Sequence, residues 1–389
     1  MAHPFPLFES IWTPNRDIAV APEVTEALRN RATVAIGVSG GKDSAATAFA
    51  TIDYLNGMGY QCQRLLIHSD LGRVEWRQSL SVCERLATNL GLDLMVVRRD
   101  RGDLLDRWHV RWENNVLRYA GLSCVKLIMP WSTASMRFCT SELKTAVISR
   151  ALVDRFPNQM ILSASGIRRQ ESSNRAKAPV AKVQPKLRSV SRGTSGLDWH
   201  PILDWTAQQV FEYLEQKRFA LHEAYGIYGS SRVSCCFCIL SSLSDMVAAA
   251  RCEANHEVYR ALVRLEIRST FPFQPTRWLG DVAPQLLDAE DRSALDLAKE
   301  RARWRCAAES RIPEHLLFTE GWPRSVPTQA EALLLCDVRQ SVAGAVGIAV
   351  DYTEPERLIQ RYKDLLTEAD RSQQRHGRRS TSTAPLSHM

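Results

Sequence analysis

The chain has 389 residues, 45% of them hydrophobic and 24% charged, with a formal net charge of +7 at neutral pH. That length supports a large buried core plus an accessory region, and the composition is that of a globular protein rather than a disordered one. No apolar run reaches the ~18 residues of a membrane span, and the start, Met1-Ala2-His3-Pro4-Phe5-Pro6, lacks a basic region followed by an apolar segment, so a cytoplasmic protein with no membrane partner is expected.

Residues 1–32 read as an N-terminal extension. A β-branched apolar run at 33–38 is followed by a Gly-rich turn and an Ala-rich stretch to about residue 56, which predicts strand, loop and helix. Further strands are expected at 64–68, 94–97 and 159–164, separated by helical patterns at 75–89, 104–117 and 141–155. This alternation implies a doubly wound α/β fold, a parallel sheet with helices on both faces. Residues 178–196 are rich in Pro, Ser, Gly, Lys and Arg and predict a long mobile loop. Past Cys238 the pattern is helical to residue 371, and a disordered tail is expected at 372–389.

Charge is concentrated in one stretch. Arg168, Arg169, Arg175, Lys177, Lys182, Lys186, Arg188 and Arg192 stand against the single acid Glu171, a local formal charge of +7, which suits a nucleic-acid backbone.

The strongest motif is Ser39-Gly40-Gly41-Lys42-Asp43-Ser44, between the first strand and the first long helix. Glycines let backbone approach phosphate oxygens, successive N–H groups and a helix start supply positive potential, and Lys42 adds a mobile charge. A Walker A loop would carry Ser or Thr after the lysine, where this chain has Asp43. Asp70, in His68-Ser69-Asp70-Leu71-Gly72 at the end of the second strand, is a candidate for Mg²⁺ or nucleotide binding, with a cap or turn role as the alternative. Gly166-Ile167-Arg168-Arg169-Gln170-Glu171-Ser172 follows a later strand, and Arg168 is the candidate α-phosphate contact.

Ten cysteines without an export signal argue against a disulfide framework. Cys62, Cys83, Cys124, Cys306 and Cys336 read as small buried hydrophobes. Cys235-Cys236-Phe237-Cys238 contains a Cys-x-x-Cys pair, whose turn can aim two sulfurs at one metal or cluster, and Cys139 in Arg137-Phe138-Cys139-Thr140 is a distant third thiol.

These segments together resemble the PP-loop ATP pyrophosphatases, in the phosphoadenosine phosphosulfate (PAPS) reductase-like branch. The loop matches Ser-Gly-Gly-x-Asp-Ser at every fixed position, the segment at 166–172 resembles Gly-x-Arg-x-x-Glu-Ser, and Pro201-Ile202-Leu203-Asp204-Trp205 resembles Pro-Leu-x-Asp-Trp, for which a structural role is expected. The resemblance implies an adenine nucleotide alpha hydrolase-like fold over 33–240, including the basic loop 168–196 and the Cys-rich turn 232–238, with a helical region at 241–371. It implies that Ser39, Gly40, Gly41, Lys42, Asp43, Ser44, Asp70, Gly166 and Arg168 bind ATP and Mg²⁺, with Lys42, Asp43 and Arg168 as candidate catalytic residues. ATP would be split to AMP and pyrophosphate.

Cys139, Cys235 and Cys238 match positions that hold a [4Fe–4S] cluster in this branch, with zinc as the alternative. Phe138 stands where cluster-bearing reductases have a further cysteine, so Cys252, or else Cys236 or Cys124, is the candidate fourth ligand. The reductases' Glu-Cys-Gly-x-His motif does not occur in this sequence. The pattern resembles the DndC and SspD branch of DNA phosphorothioation, which implies adenylation of a backbone phosphate, DNA as partner, a cysteine desulfurase or other sulfur donor, and further subunits of a modification complex. A sulfonucleotide reductase, a tRNA thiolase and a non-catalytic nucleotide-binding component of a defence complex are the other readings.

Overall fold

The computed structural model describes residues 17–381, which divide into two compact units interleaved along the chain. The first comprises 17–70, Arg77–Arg98 and Thr140–Ser234; the second comprises Leu71–Trp76, Arg99–Cys139 and 235–381. The second unit is thus not a contiguous C-terminal region: two segments from within 33–240 belong to it. The first 16 residues of the expected N-terminal extension lie outside the described residues, and its remainder carries a short helix, α1 (Pro22–Arg29).

The first unit is a six-stranded sheet of order β3-β2-β1-β4-β6-β5, formed by β1 (Thr33–Val38), β2 (Arg64–Asp70), β3 (Leu94–Arg98), β4 (Met160–Ala164), β5 (Ala181–Val183) and β6 (Ser195–Trp199). All neighbours pair in parallel except β5, which runs antiparallel to β6. Side chains alternate along β1 as the pleat requires. Val34, Ile36 and Val38 enter one core with α1, α2 (Lys42–Gly57) and α3 (Ser79–Leu90), whereas Ala35 faces a second core with Leu152, Val153 and Phe156. Helices therefore cover both faces, as expected of an α/β doubly wound sheet.

Residues 178–196 are not the long mobile loop that their composition suggests. Gln184 N–H donates to the Gly196 carbonyl, Lys182 and Asp198 are in register, and Leu187 is buried against the sheet. A three-residue strand between Pro179 and Pro185 leaves no apolar periodicity to detect, yet it completes the sheet edge.

The second unit is helical: α4 (Leu104–Ala120) belongs to it, together with helices at Leu243–Ala250, His256–Ser269, Ala289–Ser310, Gln329–Val346 and Pro355–Thr381. Its centre is aromatic, with Trp108, Trp131 and Phe273 in edge-to-face contact at 4.9–6.0 Å and Trp112 against Phe271 at 6.2 Å. The last helix runs to Thr381, so residues 372–381 are helical and not part of a disordered tail; 382–389 lie outside the described residues. Extending a formed helix costs little per residue, and Gln373, Gln374, Arg375, Arg378 and Arg379, half of this stretch, are good helix formers. Among the described residues no helix is long and apolar enough to cross a membrane.

Candidate active site

β1 and β4 are neighbours, and the chain runs from β1 to β2 on one side and from β4 to β5 and β6 on the other, so their connections part in opposite senses at the carboxyl ends. Such a switch point opens a crevice where doubly wound sheets bind ligands. The 39–44 loop follows β1 at this point, and the 166–172 segment follows β4. Two glycines make their junction possible. Gly40 has φ +74°, and a Cβ there would stand 2.9 Å from the Ser79 backbone. A Cβ at Gly166 would stand 2.6 Å from the Asp43 carbonyl oxygen and 3.0 Å from Ser44 N, so only glycine lets the two loops approach.

The loop is tied from within. Ser39 N–H donates to Ser44 Oγ (3.2 Å), and Ser44 Oγ donates to the Gly41 carbonyl (2.9 Å). The helix α2 begins at Lys42 with Gly41 as its cap and no capping side chain, which leaves its first amides for an outside acceptor. For Lys42 N–H that acceptor is the hydroxyl of Tyr225, at 3.0 Å. Burial pushes the Tyr225 phenol well above its ordinary range, so it stays a neutral hydroxyl.

Lys42 itself is 4% exposed. Its ammonium donates to the Ser231 carbonyl (3.1 Å), meets Asp43 at 3.3 Å, and stands 5.4 Å from the ring centres of both Phe211 and Tyr225. The same two rings line a cleft of about 830 Å³ together with Gln78, Arg85, His222 and Glu223. Tyr225, Phe211 and Ser231 form no motif with the loop in sequence, and only the fold brings them to it.

Arg168 is also buried, and its guanidinium is engaged: Nε donates to Asp43 (2.6 Å), and Nη1 to Gln170 Oε1 (3.1 Å) and the Trp205 carbonyl (3.5 Å). These bonds tie Arg168 to Asp43 at the start of α2. The segment at 201–205 supports it as expected: besides the Trp205 carbonyl, Asp204 holds Arg169 (2.6 Å), and Thr206 caps the following helix. Asp70 ends β2 and pairs with Arg98 of β3 (2.7 Å).

The basic stretch looks different in space. Arg168 pairs with Asp43, Arg169 with Asp204, Arg175 with Glu171, Lys182 with Asp198 and Arg192 with Asp154. Lys186 donates to the Ser141 carbonyl (2.7 Å). Four of those five acids lie outside the stretch, so the local charge count overstated the field; Lys177 and Arg188 remain exposed.

The thiols belong to the second unit. Cys236 is pinned, its N–H (2.8 Å) and Sγ (3.0 Å) both donating to the Val74 carbonyl, and burial pushes its thiol up to about 12. Cys139, Cys235 and Cys238 are partly exposed, and Leu240 N–H donates to Cys238 Sγ (3.5 Å). Cys252 is buried within electrostatic range of Cys236, and Cys124 lies in the field of Arg118 and Arg339. Phe138 is held between the guanidinium groups of Arg107 (4.7 Å) and Arg111 (5.0 Å). Among the described residues no three His, Cys, Asp or Glu side chains are gathered so as to hold a metal ion. Cys306, expected to be buried, is exposed on its helix.

Residues 33–240 match the phosphoadenosine phosphosulfate reductase domain, with the loop, Gly166, Arg168 and the Cys-x-x-Cys turn all inside the match. The chain belongs to that family. No curated protein matches it. Among solved structures it is similar to the PAPS reductase from Candida auris in its phosphate complex, at 14% identity and a TM-score of 0.33, covering 56% of this chain and 97% of that one. It is also similar to the U34-tRNA thiolase NcsA from Methanococcus maripaludis with its [4Fe–4S] cluster, at 14% identity and a TM-score of 0.34, covering 62% and 73%. Likenesses this loose transfer no role to any residue.

Proposed function

We propose that this PAPS reductase-family chain is a PP-loop ATP pyrophosphatase that adenylates an acceptor for sulfur transfer, the acceptor being a DNA backbone phosphate as in DndC and SspD. The observation that carries the reading is the junction at the switch point, where Gly166 lets the segment after β4 close on the backbone of the phosphate loop. In this reading the loop amides and Lys42 bind the β,γ-pyrophosphate and stabilise its charge as it departs. Asp43, fixed by Arg168 at 2.6 Å, keeps the start of α2 aligned. Tyr225 and Ser231 must release Lys42 before a phosphate can take their place. Mg²⁺ bound with the nucleotide supplies charge neutralisation on the phosphate oxygens. The acceptor oxygen is the nucleophile, so positioning rather than a protein nucleophile is what the site has to provide. A cluster would draw on Cys139, Cys235 and Cys238, with Cys252 as fourth ligand, and a cysteine desulfurase would supply the sulfur; no step above depends on either.

The test is conversion of ATP to AMP and pyrophosphate by purified protein, with and without DNA, tRNA or a sulfonucleotide, against Lys42→Ala. AMP formation dependent on DNA and abolished in the variant is the expected outcome. Dependence on tRNA would make the chain a thiolase, reduction of a sulfonucleotide would make it a reductase, and nucleotide binding without turnover would leave a binding component only.

A further inference from the structure

The helical unit buries an arginine without a carboxylate. Arg339, on the helix Gln329–Val346, is 2% exposed, and its Nη2 donates to the carbonyls of Ala120 (2.9 Å) and Asp351 (2.7 Å). Its Nε and Nη1 have no hydrogen-bond partner among the described residues, and neither have the buried hydroxyls of Tyr119 and Tyr362. The guanidinium stands 5.0 Å from the Tyr119 ring centre, and both tyrosines lie within its electrostatic range. Buried carboxylates of this unit have partners elsewhere: Glu309 has Arg305 (2.9 Å) and Leu127 N–H (3.0 Å), Glu266 the amides of Phe273, Leu279 and Gly280, Asp291 has Arg264 (3.0 Å) and Asp245 the Ser242 hydroxyl (2.7 Å).

We propose that Arg339, Tyr119 and Tyr362 form an enclosed site for a small inorganic monoanion of the chloride class. Four polar atoms, two nitrogens that carry three N–H and two hydroxyls, offer hydrogens, and unsatisfied buried donors of this kind signal a missing partner. A water would satisfy hydrogen bonds but leave a buried cation uncompensated, which costs far more than an unpaired amide. Burial holds both phenols in the protonated form, so they remain donors across the physiological range. Cys124 and Cys336, the other groups in range of Arg339, are likewise kept as neutral thiols by burial.

The experiment is thermal unfolding of the full chain at fixed ionic strength as gluconate is replaced by chloride or bromide. A saturable rise in melting temperature of about 2 to 4 °C is expected for the wild type, lost in Arg339→Met and reduced in the Tyr119→Phe, Tyr362→Phe double variant. Because those variants remove core groups, crystals of the wild type grown in bromide give an independent reading. An anomalous peak at hydrogen-bonding distance from Nε and Nη1 supports the site. Equal melting in gluconate and halide, or a peak-free water at that position, overturns it.

Discussion

In the sheet unit, the phosphate loop is made of backbone: two glycines, a helix start and amides whose positions follow once β1, α2 and β4 are in place. In the helical unit, the thiol of Cys139 stands in the short helix Phe138–Thr140 and those of Cys235 and Cys238 on a loop, and among the described residues no three candidate ligands stand together around one ion. Sites built from main chain are formed by folding itself, whereas sites built from thiolates are completed by the group they hold. The first should therefore be sensitive to a single added methyl group, and the second to the supply of iron and sulfide.

The sharpest test of that contrast is anaerobic reconstitution with iron and sulfide. Cys235→Ala should lose the bound iron and the band near ~400 nm entirely, whereas Cys236→Ala should retain both, since its thiol is already committed to Val74. Iron-free wild type would remove the cluster from the reading.

Gly166→Ala comes next: AMP formation should fall roughly 100-fold or more with unchanged circular dichroism, because the added carbon meets the Asp43 and Ser44 backbone rather than a side chain that can move. Full activity in this variant would separate the loop junction from catalysis.

Asp43→Ala strands the buried Arg168 guanidinium, and urea unfolding should show a loss of about 2 to 3 kcal/mol, discounted because Asp43 is partly exposed. Tyr225→Phe acts in the opposite direction. It removes the hydroxyl that a phosphate oxygen must displace from Lys42 N–H, so ATP should bind up to about 10-fold more tightly by calorimetry.

The smallest effect concerns pH in the helical unit. Burial pushes the Glu266 carboxyl from 4.5 up to about 8, against three backbone N–H groups that favour its charged form. The folded state then holds a proton that the unfolded chain has released, so the stability contributed is full below about pH 4.5 and is lost as pH rises through about 8. Glu266→Gln should flatten that decline in urea midpoints measured across this range.

Much of the sheet was legible in the sequence because its strands are apolar runs bounded by turn residues, and β1 to β4 fall where those runs are. β5 and β6 escaped because three residues between prolines carry no period, although the buried Leu197 and Trp199 alternate as a strand should. The loop at 39–44 was legible as a motif, since glycine spacing encodes backbone geometry. Its cover was not: Tyr225 and Ser231 reach Lys42 across more than 180 positions, and nothing in local pattern records that. The basic stretch misled for the same reason, because Asp43, Asp154 and Asp204 reach it only through the fold.

The interleaving of the two units has a consequence during synthesis. Trp131 leaves the ribosome about 140 residues ahead of Phe273, the ring it stacks against, which at ~5–20 residues per second is a delay of roughly 7 to 30 s. Through that interval the indoles of Trp108, Trp112 and Trp131 have none of their Phe271 and Phe273 neighbours, so the nascent chain presents an aromatic surface to chaperones until the helices after residue 235 emerge.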